Sequence, residues 1–338
     1  SKTINREAGF NVRFLNDRIG ADFAYYNIFD LNQIISLPIS KASGYTSKLI
    51  NANKFNRRGI EVTLNGTPIK TRNWEWNLLV NYSLDREYLI DLYGSQTNLN
   101  GVFPGQRMDL YRGWVWEKSP KGEIIYQNGM PVYDPSGVKP LGYSTPNWVW
   151  GLNSQLRYKQ FQLVLGFDGR VGGVMYNSLE DKLWEGGMEV NSANKYRAED
   201  YAGSATYIGK GVVVTGGKLT TDANGKVISD TRTFAPNTTA VNYHDWVTAY
   251  YANGVDESEL YNMTFMKLRS VTLTYNLPQR LLHKTFLTEA SVSIVGTNLF
   301  LSTKVPYLDP DPITPDYPRY QLEEPTTRTI GVNLNLKF

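Results

Sequence analysis

The sequence predicts an all-β chain: an antiparallel transmembrane β-barrel portion of about nine strands, with long loops gathered at one end. Three observations carry that expectation. Apolar and polar residues alternate with a period of two in stretch after stretch, the mark of strands with one apolar and one polar face. Several of these stretches are about ten residues long, enough to cross a bilayer at a tilt, whereas strands of soluble proteins average about five or six. Short and long connections alternate along the whole chain, as they do in outer-membrane barrels and as a soluble sandwich has no reason to do.

Taken in order, Phe10, Val12 and Phe14 share a face, and after Asn16-Asp17-Arg18 so do Ile19, Ala21, Phe23 and Tyr25. Ile60, Val62 and Leu64 form the third strand, and Trp74, Trp76, Leu78, Val80, Tyr82 and Leu84 the fourth. Trp148, Trp150, Leu152, Leu156 and Tyr158 mark the fifth, and Phe161, Leu163, Leu165 and Phe167 the sixth, against Gln162, Asp168 and Arg170. Val271, Leu273, Tyr275 and Leu277 mark the seventh, and Ala290, Val292 and Ile294 the eighth. The ninth holds Ile330, Val332, Leu334, Leu336 and Phe338 on one face without a break, and the chain stops on that aromatic. Short turns are expected at 16–18, 67–73, 158–159 and 278–288, on the periplasmic side. Long loops are expected at 30–54, 86–145, 172–262 and 301–327, outside. Aromatics at both ends of the apolar faces fit the two interfacial girdles of such a barrel.

Within the loops, Asn128-Gly129 predicts a hairpin over 124–132 and Asn224-Gly225 another over 219–228. The stretch 306–318, dense in Pro and Asp, reads as an ordered loop. First and last strands run the same way, so nine strands alone cannot close, and an open edge in lipid would strand backbone polar groups. The chain is therefore expected to be one part of a larger barrel or to pair with another chain. Its start, Ser-Lys-Thr-Ile, carries no initiator Met or signal peptide and fits that expectation.

Composition narrows the function. A net charge of +3 over 338 residues gives no basic footprint for nucleic acid. Without cysteine there are no disulfides or thiolate metal sites. His244 and His283 are the only histidines, too few and too far apart in sequence for a His-based catalytic or metal set. No catalytic residue, metal site or cofactor is expected. Asp309, Asp311 and Asp316 could offer oxygen ligands, but intervening prolines make an EF-type loop unsuitable. Asp222-Ala223-Asn224-Gly225 imitates the start of a calcium loop and lacks the later Glu, so it reads as a turn. Contacts to substrate or partner are expected from loop aromatics instead: Trp114 and Trp116 in one loop, and Trp184, Tyr243, Trp246, Tyr250 and Tyr251 in another. The competing role for these seven is packing the loops together.

Four blocks, in this order and spacing, resemble the SusC/RagA family of TonB-dependent outer-membrane transporters. They are Tyr25-Tyr26-Asn27-Ile28-Phe29-Asp30-Leu31 with Asn53-Lys54-Phe55-Asn56-Arg57-Arg58-Gly59; Gly142-Tyr143-Ser144-Thr145-Pro146-Asn147-Trp148 with Arg170-Val171-Gly172-Gly173; Thr264-Phe265-Met266-Lys267-Leu268-Arg269 with Tyr275-Asn276-Leu277-Pro278; and Gly296-Thr297-Asn298-Leu299-Phe300 with the last strand. The resemblance covers nearly the whole chain. It implies a 22-stranded barrel of which 1–338 is the C-terminal part, with the plug domain and earlier strands outside this chain. It further implies an outer membrane of a Gram-negative, Bacteroidota-type bacterium, with lipid and lipopolysaccharide around the barrel. Energy would come from the TonB complex through the absent N-terminal part, and a SusD-like lipoprotein would lid the pore. Import of an oligosaccharide or a peptide follows as the implied function, and Phe338 as an assembly signal. The acidic loop that many members carry before the Ser-Thr-Pro block is not matched; Tyr133-Asp134-Pro135-Ser136-Gly137 stands there. The 172–262 loop is expected to form much of the docking surface for the lid. Alternatives are a structural or adhesive barrel that transports nothing, which a plug domain upstream in the intact chain would rule out, and a soluble β-rich carbohydrate-binding protein, which would need no detergent.

Overall fold

The computed structural model describes residues 1–94, 96–222, 227–252, 254–320 and 324–338. Nine long strands form one sheet in which each strand pairs antiparallel with the next: β1 (Lys2–Phe14), β2 (Ile19–Pro38), β3 (Ser47–Lys70), β4 (Trp74–Asp91), β5 (Trp148–Tyr158), β6 (Phe161–Val171), β7 (Phe265–Asn276), β8 (Glu289–Thr303) and β9 (Thr329–Lys337). Among the described residues no helix is long and apolar enough to cross a membrane.

Register converts the sequence alternation into two continuous faces. Phe10 lies opposite Phe23, Phe23 opposite Val62, Val62 opposite Tyr82 and Tyr82 opposite Trp150. One residue along, the other face runs Asn11, Asp22, Thr63, Asn81, Gly151, Asp168 and Lys267. Because the side-chain period is two, this register carries most apolar residues of the strands to one side and most polar ones to the other, with Ser154 among the apolar residues and Val164 and Leu79 among the polar ones. Leu163 and Leu165 lie on the apolar face, Gln162 and Asp168 on the polar one. Near the short turns an aromatic row crosses four strands: Trp74 packs on Tyr158 at 4.2 Å, with Phe161 opposite Tyr158 and packed on Tyr275 at 4.9 Å. At the other end Tyr82 packs on Trp148.

The expected loop 30–54 is a correction. β2 continues to Pro38 and β3 begins at Ser47, so the two form a long ribbon closed by a short turn around Lys41–Ser43. Asn32 and Asn53 face each other on this ribbon with left-handed backbone, φ 54° and 46°. Asn tolerates that conformation, and two Asn-rich runs inside a strand look like turn signals in the sequence. The turn expected at 67–73 shrinks likewise, since β3 runs on to Lys70.

The remaining expectations fare better. Tyr126–Gln127 pairs with Met130–Pro131 around Asn128 and Gly129, whose φ values of 54° and 79° are those of a type I′ turn. Leu219–Thr221 pairs with Val227–Asp230, although the Asn224-Gly225 turn itself lies outside the described residues. The stretch 306–318 is irregular, as its prolines require. Phe338 stacks on Phe286 at 5.6 Å beyond the end of β9.

Candidate functional site

The long connections 92–147, 172–264 and 304–328 fold together into a cap over one end of the sheet. Its core is aromatic. Helix α1 (Ser178–Glu185) starts where the Asn177 side chain accepts from the Glu180 N–H, and helix α2 (Tyr243–Val247) where Asn242 accepts from the Asp245 N–H. These caps satisfy amides that a short helix otherwise leaves open. The two helices bring Trp184, Tyr243, Trp246 and Val247 against Tyr126, all buried. Trp184 stacks on Tyr251 at 4.2 Å with planes 3° apart, and Trp246 on Tyr250 at 4.9 Å. Trp116 continues the stack between Tyr250 and Tyr133.

The seven aromatics expected to contact substrate or partner are therefore mostly spent on packing. Trp116, Trp184, Tyr243 and Trp246 are buried, while Tyr250 and Tyr251 are half-buried in the same stack. Only Trp114, 44% exposed, offers a face to solvent. The cause is the loops' composition: short loop helices bury little surface unless large rings fill the space between them.

A second joint ties three segments together. Val174–Asn177 pairs antiparallel with Leu260–Asn262 and parallel with Arg319–Tyr320. Beside it Asp256 accepts from the Tyr111 hydroxyl (2.8 Å), the Trp114 N–H (3.0 Å) and Arg319 (3.1 Å). Burial and then the Asp256 carboxylate push the Tyr111 hydroxyl well above its ordinary pKa. Gly113 allows this approach, since a Cβ there would sit 2.4 Å from Asp256.

The 304–328 loop is pinned to the polar face of the sheet. Lys267, 1% exposed, pairs with Asp309 and with Asp311 at 3.0 Å. Arg269 bridges Asp311 (2.7 Å) and Asp168, and Arg170 donates to the carbonyls of Asp311 (2.6 Å) and Ile313 (2.9 Å). Burial works to raise the Asp311 carboxyl, but hydrogen bonds from Arg269 and Lys267 outweigh it and hold the group below its ordinary range. Asp309 and Asp311 thus serve as anions for Lys and Arg, and Asp316 lies apart from them in the cleft described next.

Between this pinned loop, the 92–147 loop and the polar face of β3 and β4 opens a cleft of about 700 Å³. Arg57, Asp85, Glu87, Asp109, Arg112 and Asp316 bring charge to its walls. Asp85 is held by Arg57 at 2.7 Å and accepts from the Tyr26 hydroxyl at 2.9 Å, and Asp109 is gripped by Arg107. Among the described residues Glu87 and Asp316 form no ion pair, so two carboxyl groups face the cleft without a direct partner, Glu87 with Arg57 in the same cleft wall. Sequence reasoning missed this cleft. Its available signal was Arg57, Asp85 and Glu87, charged residues in the stretches that continue the third and fourth strands.

No family model matches the chain. TonB-dependent receptor P3 of Formosa agariphila is 22% identical across 98% of this chain, and TonB-dependent receptor SusC of Bacteroides thetaiotaomicron is 22% identical across 58%. A chain of the RagAB peptide transporter superposes over 99% of this one with a TM-score of 0.67 at 18% identity. The chain spans about a third of the length of such relatives, 34% for the first and 35% for the RagAB chain. The relatives' names are those of receptors and transporters. With likeness in sequence and in fold running along the whole chain, and the two-faced sheet expected of a barrel wall, this chain has the fold of a portion of a transporter β-barrel and is similar in sequence to TonB-dependent receptors of the SusC kind.

Proposed function

We propose that the chain is the C-terminal part of an outer-membrane importer, its barrel completed by strands outside this chain. The observation that carries this reading is the register: one predominantly apolar face for lipid and one predominantly polar face, with its charged cleft, for a water-filled lumen. In this reading the 71–73 and 159–160 turns face the periplasm of a Gram-negative, Bacteroidota-type cell, the cap faces outward, and Phe338 helps signal barrel assembly. TonB supplies energy through a plug outside this chain, and the chain itself catalyses no reaction.

Of an oligosaccharide and a peptide, the cleft favours the peptide. Sugars are held largely by stacking on exposed rings, and here most of the loop rings are buried in the cap's own core. Free carboxylates beside two guanidinium groups suit a peptide's ammonium and carboxylate ends. The RagAB relative, named as a peptide transporter, agrees with this choice. Replacing Glu87→Gln with Asp316→Asn in the intact receptor is expected to lower peptide uptake roughly tenfold, the effect of losing about 1.4 kcal/mol of binding, with unchanged barrel in the membrane. A fall confined to oligosaccharide uptake would reverse the substrate assignment. Unchanged uptake of both would take the cleft off the transport path.

The cap's outer surface is where a SusD-like lipoprotein would sit. Met188, Val190 and Tyr201 project there, Tyr201 95% exposed, beside a groove lined by Arg197, Asp200, His244 and Asp245. Exposed apolar side chains rimmed by charge are the anatomy of a docking surface. Val190→Asp with Tyr201→Asp touches no packed residue, so assembly should be normal while co-purified lipoprotein falls roughly tenfold. Lipoprotein recovered in undiminished amount would contradict this docking face.

A further inference from the structure

The joint that closes the cap is built over a carboxyl group that forms no ion pair among the described residues. Glu259 lies just before the Leu260–Asn262 strand, is fully buried, and neither of its side-chain oxygens makes a hydrogen bond of good geometry. From α1, Glu180 and Asp181 face it, each with one buried oxygen likewise unbonded. From its own segment Asp256 adds a third negative neighbour. The hydroxyls of Tyr176 and Tyr261 approach from the two paired strands, and those of Tyr250 and Tyr251 from the helical turn Thr248–Ala252. Among the described residues the cations nearby are Arg319 and Lys182, both engaged elsewhere: Arg319 pairs with Asp256 at 3.1 Å and lies over the Tyr176 ring at 4.1 Å, and Lys182 pairs with Glu185 at 2.5 Å and reaches Asp181 only at 4.0 Å.

An ionised carboxylate placed here would lack both a counter-ion and solvation, and such a group takes up a proton instead. Burial, then the Asp181 and Glu180 charges, raise the Glu259 carboxyl to about 9, and burial moves Glu180 and Asp181 in the same direction.

We propose that Glu259 is a proton-operated latch on the cap: protonated, it lets the 172–264 and 304–328 loops close on each other, and its ionisation opens their joint. The proposal rests on the cap's geometry and not on what the receptor carries. Its direction follows from linkage. In the opened joint Glu259 is an ordinary carboxyl near 4.5, while in the closed joint it holds its proton up to about 9. The stabilisation is fully present below about 4.5 and is lost progressively as pH rises to about 9, about tenfold in the closing equilibrium per pH unit. The cap is therefore tightest in mildly acidic medium and loosens as the medium turns alkaline.

Hydrogen exchange on the intact receptor in lipid, from about pH 5 to about pH 10 and corrected for intrinsic rates, tests this without substrate. The Val174–Asn177 and Leu260–Asn262 amides should lose protection about tenfold per pH unit while β5 and β6 stay constant. Glu259→Gln, which cannot ionise, should give a pH-independent joint. In Asp181→Asn, with one repelling charge gone, the loss of protection should end at lower pH. This second variant decides the matter if Glu259→Gln fails to assemble. A flat wild-type profile, or the same slope in Glu259→Gln, would overturn the latch. Failure of peptide import would leave these profiles unaltered, so the two readings fail separately.

Discussion

Replacing Lys267 with methionine is expected to weaken the docking of the 304–328 loop by roughly 3–5 kcal/mol, although the side chain's volume is nearly kept. Breaking a buried ion pair leaves the remaining charge in a poor solvent, and costs of that size follow. Here the stranded group is Asp309, whose other partners are the Thr326 hydroxyl and the Asp311 N–H. Asp311 keeps Arg269. The loop can escape the penalty by lifting off the polar face, so the change is to be read as faster proteolysis or exchange within 304–328 while β6 and β7 stay protected. Adding Asp309→Asn to Lys267→Met should restore part of the loss, because neither partner is then a buried charge. Unchanged protection of the loop in Lys267→Met would show that the ion pair does not hold it. Acid should loosen the same contact in the wild type. Asp311, held below its ordinary 3.8, contributes stability above that pH and loses it as pH falls through its lowered value. The anchor thus fails toward acid, whereas the Glu259 joint loosens toward alkali.

How much of this was legible differs between wall and cap, for a physical reason. Strand faces are local: Phe161, Leu163, Leu165 and Phe167 reveal their face by spacing alone, and the structure's register agrees. The β7 wall shows where locality ends. Lys267, Arg269, Val271 and Leu273 share one parity in the sequence, which read straight through would put a lysine and an arginine on the lipid face. The register slips between Leu268 and Ser270, so that Val271 pairs with Leu165 while Lys267 pairs with Asp168. A bulge of this kind re-aims side chains, and the sequence offers no mark for it beyond the charges themselves.

The cap was legible in composition and hidden in arrangement. Its rings stand out in the chain, but whether Trp184 greets a ligand or stacks on Tyr251 depends on partners distant in sequence. The same holds for Asp256, whose role appears only once Tyr111 and Arg319 arrive from two other loops. Asp309 and Asp311 were visible as a carboxylate pair; the lysine that neutralises them lies on another strand.

The central claim is that this sheet is a barrel wall with lipid on one side and water on the other, and paired substitutions on β6 test it directly. Leu165 lies on the apolar face opposite Ser154 and Val271. It stands four residues from the aromatic row at Phe161, about 13 Å along the strand, which at the usual tilt puts it near the middle of an apolar band about 25 Å tall. Gln162, on the polar face, lies opposite Arg157, whose charge is already met by Glu75 at 2.7 Å. In the intact receptor folded into bilayers, denaturant unfolding should show Leu165→Arg destabilised by about 2–4 kcal/mol. Gln162→Arg should change stability by less than about 1 kcal/mol. Equal losses at the two positions, or the larger loss at Gln162, would contradict the assignment of lipid and lumen faces on which the account stands.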